Sequence, residues 1–151
     1  MTEMTDKPVN HATNEAEARP LPAFAVVARD DASAPFFYAA CEGRFVLRSC
    51  LSCKQLRAPE IPMCTKCLNE SFSWVDAVGT GEIVSWVVLH PKPVAGKVAP
   101  MPRVMVTVEL TEGPWVLGAL LGVESSSIQV GRTVTIDFER PEGSEPIPVF
   151  R

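Results

Sequence analysis

The plainest alternation in the chain runs over Arg103–Leu110. There Val104, Val106, Val108 and Leu110 fall on one face and Arg103, Met105, Thr107 and Glu109 on the other, the period of a half-buried strand. Thr133–Glu139 repeats it, with Val134, Ile136 and Phe138 inward. Glu82–His90 is apolar on both faces and reads as a central strand. Trp115–Gly122 follows a Glu112-Gly113-Pro114 turn and should pair with the strand before it as a hairpin. Phe72–Val78 precedes these as a further strand, and Arg44–Ser49 another, with Phe45 and Leu47 on one face. Val123–Gly131 leaves room for one helical turn, and Pro148-Val149-Phe150 for an edge.

Helical signals are confined to one place. Ser33-Ala34-Pro35 reads as an N-cap with proline in the first turn, and Phe36, Phe37, Tyr38, Ala40 and Cys41 run on to a stop at Gly43. Two turns cannot stand alone, so Phe36 and Phe37 must pack on the rest of the chain or on a partner. Residues 1–31 are polar and acidic and read as a flexible leader, in which apolar Leu21–Val27 could dock as an extended arm.

The expected architecture is therefore mainly β. A leader (1–31) is followed by a helix and a cysteine-bearing ribbon (32–70), then a barrel domain (71–151). Five short strands with a helical turn between the fourth and fifth suit a small closed barrel of the OB type, with a β-sandwich as the alternative.

Composition narrows the function. Apolar residues make up 46% and the net charge is -4, so a core is available and a chain-wide basic footprint for nucleic acid is absent. No apolar run reaches a membrane span and the N-terminus lacks a secretory signal, which predicts a soluble, cytoplasmic protein. The 14 prolines disfavour long helices.

Four of the five cysteines form Cys50-x2-Cys53 and Cys64-x2-Cys67. Two such knuckles can set four thiolates tetrahedrally round one ion. Zinc is the preferred ion. Iron is the other sulfur-only option, but the glycines common after such knuckles are replaced by Lys54 and Leu68. Four thiolates leave no position for water or substrate, so the ion would be structural. Cys41, the fifth, reads as a small buried hydrophobe.

A catalytic set is harder to find. His11 lies in the leader. His90 ends a strand before a proline-rich loop, a position open to function or to a structural hydrogen bond. No nucleophile elbow, phosphate loop, dinucleotide fingerprint or His-Glu-x-x-His occurs. The loop from Pro91 to Pro102 is long for a β-connection, and with Lys92, Lys97, Met101 and Arg103 it is the expected contact surface for a partner or a phosphate-bearing ligand. Residues 44–70 carry five basic residues against two acidic ones, whereas 79–151 carry six against eight. That is a basic ribbon on an acidic barrel. Trp86 and Trp115 could stack bases in an OB module or serve as core; the acidic barrel argues against nucleic acid.

The order Phe36-Phe37, Gly43-Arg44-Phe45, Cys50-x2-Cys53, Pro59, Cys64-x2-Cys67, Phe72-x-Trp74, Gly79-x-Gly81, Ser85, His90, Val108-Glu109-Leu110 and Glu112-Gly113-Pro114 resembles the zinc-ribbon/OB-fold proteins associated with acyl-CoA metabolism. The resemblance spans about residues 34–150. It implies a helix, a rubredoxin-like zinc ribbon and a five-stranded OB barrel, with Cys50, Cys53, Cys64 and Cys67 as the ligands of a structural Zn2+. It implies a non-catalytic partner of thiolase-fold enzymes (thiolases, lipid-transfer-type aldolases of steroid side-chain breakdown, acyltransferases) and, in some members, of hot-dog hydratases. In that role the chain would order the partner's active-site region or help hold an acyl-CoA ester. A free-standing acyl-CoA binder is the alternative. Glu60 stands where the ribbon tip usually carries arginine, and Thr65 where proline is usual, so a phosphate contact at the tip is not carried over.

Overall fold

The structure, a computed structural model, describes residues 24–93, 95–96 and 101–151. The helix α1 (Ala34–Cys41) has Pro35 in its first turn. It ends in a Schellman motif: the Arg44 N–H reaches Ala39 O and the Gly43 N–H reaches Ala40 O, with Gly43 at φ +77°. The start differs from expectation. The Ser33 hydroxyl makes no bond forward to the helix and bonds back to Asp30, whose carboxylate also accepts the Ser33 N–H at 2.8 Å. Asp30 can do this because the residues before the helix already turn, placing its side chain over the Ser33 amide.

Three strands make the ribbon sheet: β1 (Val46–Cys50), β2 (Leu56–Arg57) and β3 (Phe72–Asp76), in the order β2-β1-β3. Five more close a barrel: β4 (Thr80–Leu89), β5 (Arg103–Leu110), β6 (Trp115–Leu120), β7 (Thr133–Glu139) and β8 (Ile147–Phe150), in the order β4-β5-β6-β8-β7 and back to β4. A 3-10 turn at Ser125–Ser127 lies between β6 and β7. The spatial order first, second, third, fifth, fourth is that of an OB barrel.

Two strands sit elsewhere than the alternation alone predicts. Phe72–Asp76 pairs with β1, Val46 opposite Asp76 through Cys50 opposite Phe72, and so belongs to the ribbon. The edge segment is instead the fifth barrel strand, antiparallel to β7 and parallel to β6. The other barrel strands match: β4 is central, pairing with both β5 and β7, and β5 with β6 is the expected hairpin.

The inward residues of β5 are buried as the alternation requires, and Ile83, Val116, Leu120, Val134 and Phe150 complete that layer. Phe36, Phe45 and Leu47 belong to the same hydrophobic cluster, so helix, ribbon and barrel share one core. Gly81 is needed where β4 and β5 approach: a Cβ there would stand 2.3 Å from Glu109 O and 2.7 Å from Val108 Cγ1. Gly81→Ala should therefore cost about 2–3 kcal/mol in urea unfolding, because the obstruction is backbone and cannot swing away.

The segment before α1 straps the helix to the barrel. The Val27 N–H donates to Ser144 Oγ at 2.9 Å, and the Glu145 N–H donates to Val27 O at 2.9 Å. Arg29 pairs with Glu145, Nη2 to Oε2 2.6 Å, and lies 4.5 Å over the Tyr38 ring. The Arg29 hydrogen bond holds the Glu145 carboxyl below its ordinary value of 4.5. A pKa lowered by folding contributes above the free value and is lost as pH falls through the folded one. The protection factor of the Glu145 amide, its exchange measured against the intrinsic rate at each pH, should therefore fall as the pH drops below 4.5, and Glu145→Gln should abolish that acid step. No helix among the described residues is long and apolar enough to cross a membrane.

Candidate metal centre

The two knuckles are near copies of one another. In the first, the Cys50 N–H bonds Gln55 O and the Lys54 N–H bonds Cys50 O; in the second, the Cys64 N–H bonds Asn69 O and the Leu68 N–H bonds Cys64 O. Each turn needs a left-handed residue after its second cysteine. Lys54 (φ +62°) and Leu68 (φ +59°) take that conformation in place of glycine, the two non-glycine residues with positive φ among those described. Backbone strain of order 1 kcal/mol at each is accepted to aim the sulfurs inward.

The four Sγ atoms lie within 4.8 Å of one another, with Cys50–Cys67 at 3.6 Å and Cys53–Cys64 at 3.5 Å. A tetrahedron with metal–sulfur bonds of about 2.3 Å has edges of about 3.8 Å, so the set fits one ion. All four are free thiols. Cys50 and Cys64 are buried, Cys53 is half-buried and Cys67 is exposed.

Backbone amides prepare the sulfurs to be thiolates. N–H groups of Cys67 and Lys66 pull Cys64 down to about 6, and those of Cys53 and Ser52 lower Cys50. Cys53 receives the Gln55 N–H, which alone would lower it, but burial and the neighbouring sulfurs of Cys64, Cys67 and Cys50 push it up to about 11. Crowded thiols hold protons jointly, and a cation is what lets all four ionise together.

In the same ribbon sheet, β1 and β2 set Arg48 directly opposite Arg57. The Arg48 guanidinium lies 4.3 Å over the Phe72 ring and 5.1 Å over Trp74, and Arg57 lies 5.4 Å over Phe72. Arg57 is only 4% exposed, and it donates to Pro62 O, Glu70 O and Asn69 O at 3.1, 3.3 and 3.4 Å. Sequence reading counted these arginines only as part of a basic stretch. Their pairing depends on the β1–β2 register, which no local pattern states.

The other expected residues are dispersed. Phe36 is buried against Phe37, Phe45 and Trp74, with ring centroids 5.3, 5.7 and 6.3 Å away, and Phe37 is half-buried beside it. His90, Lys92, Met101 and Arg103 are exposed where β4 ends and β5 begins, Met101 at 83%. Lys97 lies outside the described residues, as do His11 and the leader up to residue 23. Cys41 is exposed, contrary to expectation: it sits on the outer side of α1, within 3.8 Å of Arg29 Nη2. Neither tryptophan is core, Trp86 being 37% and Trp115 60% exposed. An apolar outer face on β4–β5–β6 was missed. Val87, Leu89, Trp115 and Leu117 are all half exposed or nearly so, and by register they share the side opposite Val104, Val106 and Val108. The signal was the apolar character of both faces of Glu82–His90.

A chain in the solved Ltp2-ChsH2(DUF35) aldolase is 35% identical to this one and superposes with a TM-score of 0.68, over 82% of this chain and 96% of its own length. The chain belongs to the DUF35 family. Residues 74–139 of this DUF35 chain match the family described as ChsH2, C-terminal OB-fold domain. A probable enoyl-CoA hydratase alpha subunit of Thermomonospora curvata is 38% identical over 133 residues, 88% of the DUF35 chain. The 3-oxo-4,17-pregnadiene-20-carboxyl-CoA hydratase alpha subunit of Mycobacterium tuberculosis is 34% identical over 86 residues, 55% of it. The chain spans 40% of the length of the first and 27% of the second. The family is OB-fold and acyl-CoA-associated, as the motif order implied.

Proposed function

We propose that this chain is a non-catalytic accessory subunit of a thiolase-fold acyl-CoA enzyme: a thiolase, a lipid-transfer-type aldolase or an acyltransferase. The observation that carries the reading is the match over 96% of a chain that forms an aldolase with Ltp2. Cys50, Cys53, Cys64 and Cys67 would hold a zinc ion. Four thiolates saturate its shell, so the ion supplies rigidity, fixing a ribbon too poor in apolar residues to fold unaided.

The partner surface is the outer face of β4–β5–β6 together with His90, Lys92, Lys97, Met101 and Arg103. Phe37, half-buried beside Phe36 on the helix, would be a separate contact. An apolar patch rimmed by basic residues suits an enzyme subunit and the phosphates of a CoA ester held between the two chains. The hydratase alpha subunits among the relatives support a second reading, in which the partner is a hot-dog hydratase.

The test is co-expression of the full chain with the thiolase-fold and hydratase candidates of its host. A stable complex is expected, with turnover of an acyl-CoA substrate that needs both chains, and acyl-CoA binding by calorimetry that is weak until the partner is present. Robust turnover by this chain alone would refute the accessory role, and tight CoA-ester binding by the isolated chain would favour a free-standing binder.

A further inference from the structure

Two guanidinium groups in the ribbon have no carboxylate beside them. Arg29, Arg44 and Arg151 each close an ion pair, but Arg48 and Arg57 take part in none among the described residues. Arg57 is almost wholly buried and Arg48 half-buried, and the Nε atom of each is sealed from solvent with no hydrogen-bond acceptor. The Arg57 bonds go to neutral carbonyls, and Arg48 has one long bond, to Ile61 O at 3.4 Å. Exposed Glu60 attracts Arg48 without closing a pair. Like charges directly opposite on a sheet destabilise it, and buried charges are ordinarily paired. Carbonyls, aromatic faces and the distant Glu60 offset this pair in part, and a further negative charge close by would offset the rest.

The strand register and two shared neighbours point to one candidate. Arg48 is two residues from Cys50 on β1, so both lie on one face of the ribbon sheet. Cys50 is opposite Phe72, the ring under both guanidinium groups. Arg57 donates to Asn69 O, the carbonyl that also accepts the Cys64 N–H inside the second knuckle. A divalent ion on four thiolates carries a net charge of about minus two, which two arginines match.

We propose that Arg48 and Arg57 are the counter-charge of a tetrathiolate metal centre at Cys50, Cys53, Cys64 and Cys67, an inference that rests on the metal reading above. Their charge holds the ion in place. Neither arginine coordinates it.

The test uses the full chain loaded with zinc, and with cobalt(II) as a spectroscopic probe, in four variants: Arg48→Gln, Arg48→Lys, Arg57→Gln and Arg57→Lys. Each should bind one ion with an unchanged tetrathiolate cobalt spectrum. The glutamine variants should lose zinc to excess chelator about tenfold faster than the unaltered chain. The lysine variants should stay close to the unaltered rate, because charge is kept although the fork is lost. Arg57 clamps three carbonyls and its replacement risks the fold; Arg48 does not, so the Arg48 pair decides. Release from Arg48→Gln at the unaltered rate, or from Arg48→Lys as fast as from Arg48→Gln, would overturn the inference and leave the metal reading standing. An unaltered chain that binds no metal under reducing, zinc-replete conditions would overturn both.

Discussion

The Cys50→Ser, Cys53→Ser double variant is expected to contain no metal and to lose the ordered knuckle segment from Leu51 to Ser71 while keeping the barrel. Structural zinc sites contribute about 10–16 kcal/mol of apparent binding free energy at neutral pH, and that energy is folding energy where the segment has little else. The segment from Leu51 to Ser71 has little else. Leu51, Met63 and Leu68 are exposed, and its buried groups are Arg57, Ala58 and Cys64. Its one short strand, β2, makes two register pairs with β1. By contrast, β4 to β8 close on one another round their own apolar layer, with no cysteine among them. Amide exchange should therefore become fast across residues 51–71 and stay protected in β4 to β7. Elemental analysis showing one ion still bound per double-variant chain would refute the assignment, since two thiolates cannot hold it in that geometry.

What could be read from the residues alone follows the range of the interactions involved. The knuckles are local, with spacing and ligand type set within a few residues, and their sulfurs converge as the spacing implied. The alternation of Arg103–Leu110 is also local and returns as a buried and an exposed face. Which strand pairs with which is not local. Phe72–Asp76 has the composition of any half-buried strand, and only its hydrogen bonds to β1 assign it to the ribbon. Docking of the segment before the helix was expected from the apolar run Leu21–Val27, yet the described part is held by polar groups more than a hundred residues away, at Ser144 and Glu145. Cys41 was placed inside because free cysteine is usually buried. A two-turn helix has only one buried face, however, and Phe36, Ala39 and Ala40 occupy it. Arg48 and Arg57 became a pair only through register, which sequence spacing cannot supply.

Phe150→Ala is expected to be the most damaging single change in the barrel. The residue stands in a four-residue strand containing a proline, and its neighbourhood reads from sequence as a mere edge. In the fold it is 2% exposed and paired on both sides, with Leu120 across the parallel ladder and Ile136 across the antiparallel one. Its ring packs on Gly118, where a Cβ would meet Phe150 Cε2 at 2.8 Å. Truncation removes the ring from the centre of the layer and leaves a cavity that hydrogen-bonded strands cannot close, at about 3–5 kcal/mol. Against a total of about 5–15 kcal/mol, this should lower Tm by about 10 °C or more and shift the urea midpoint without changing the slope. The same contact supplies an internal check. Gly118→Ala alone overpacks the ring and should cost about 1–3 kcal/mol, but in the Phe150→Ala background the added methyl enters the vacated space and should cost nothing or stabilise. Additive losses in the double variant, or a loss below about 1 kcal/mol for Phe150→Ala alone, would mean that β8 does not close the barrel through this ring.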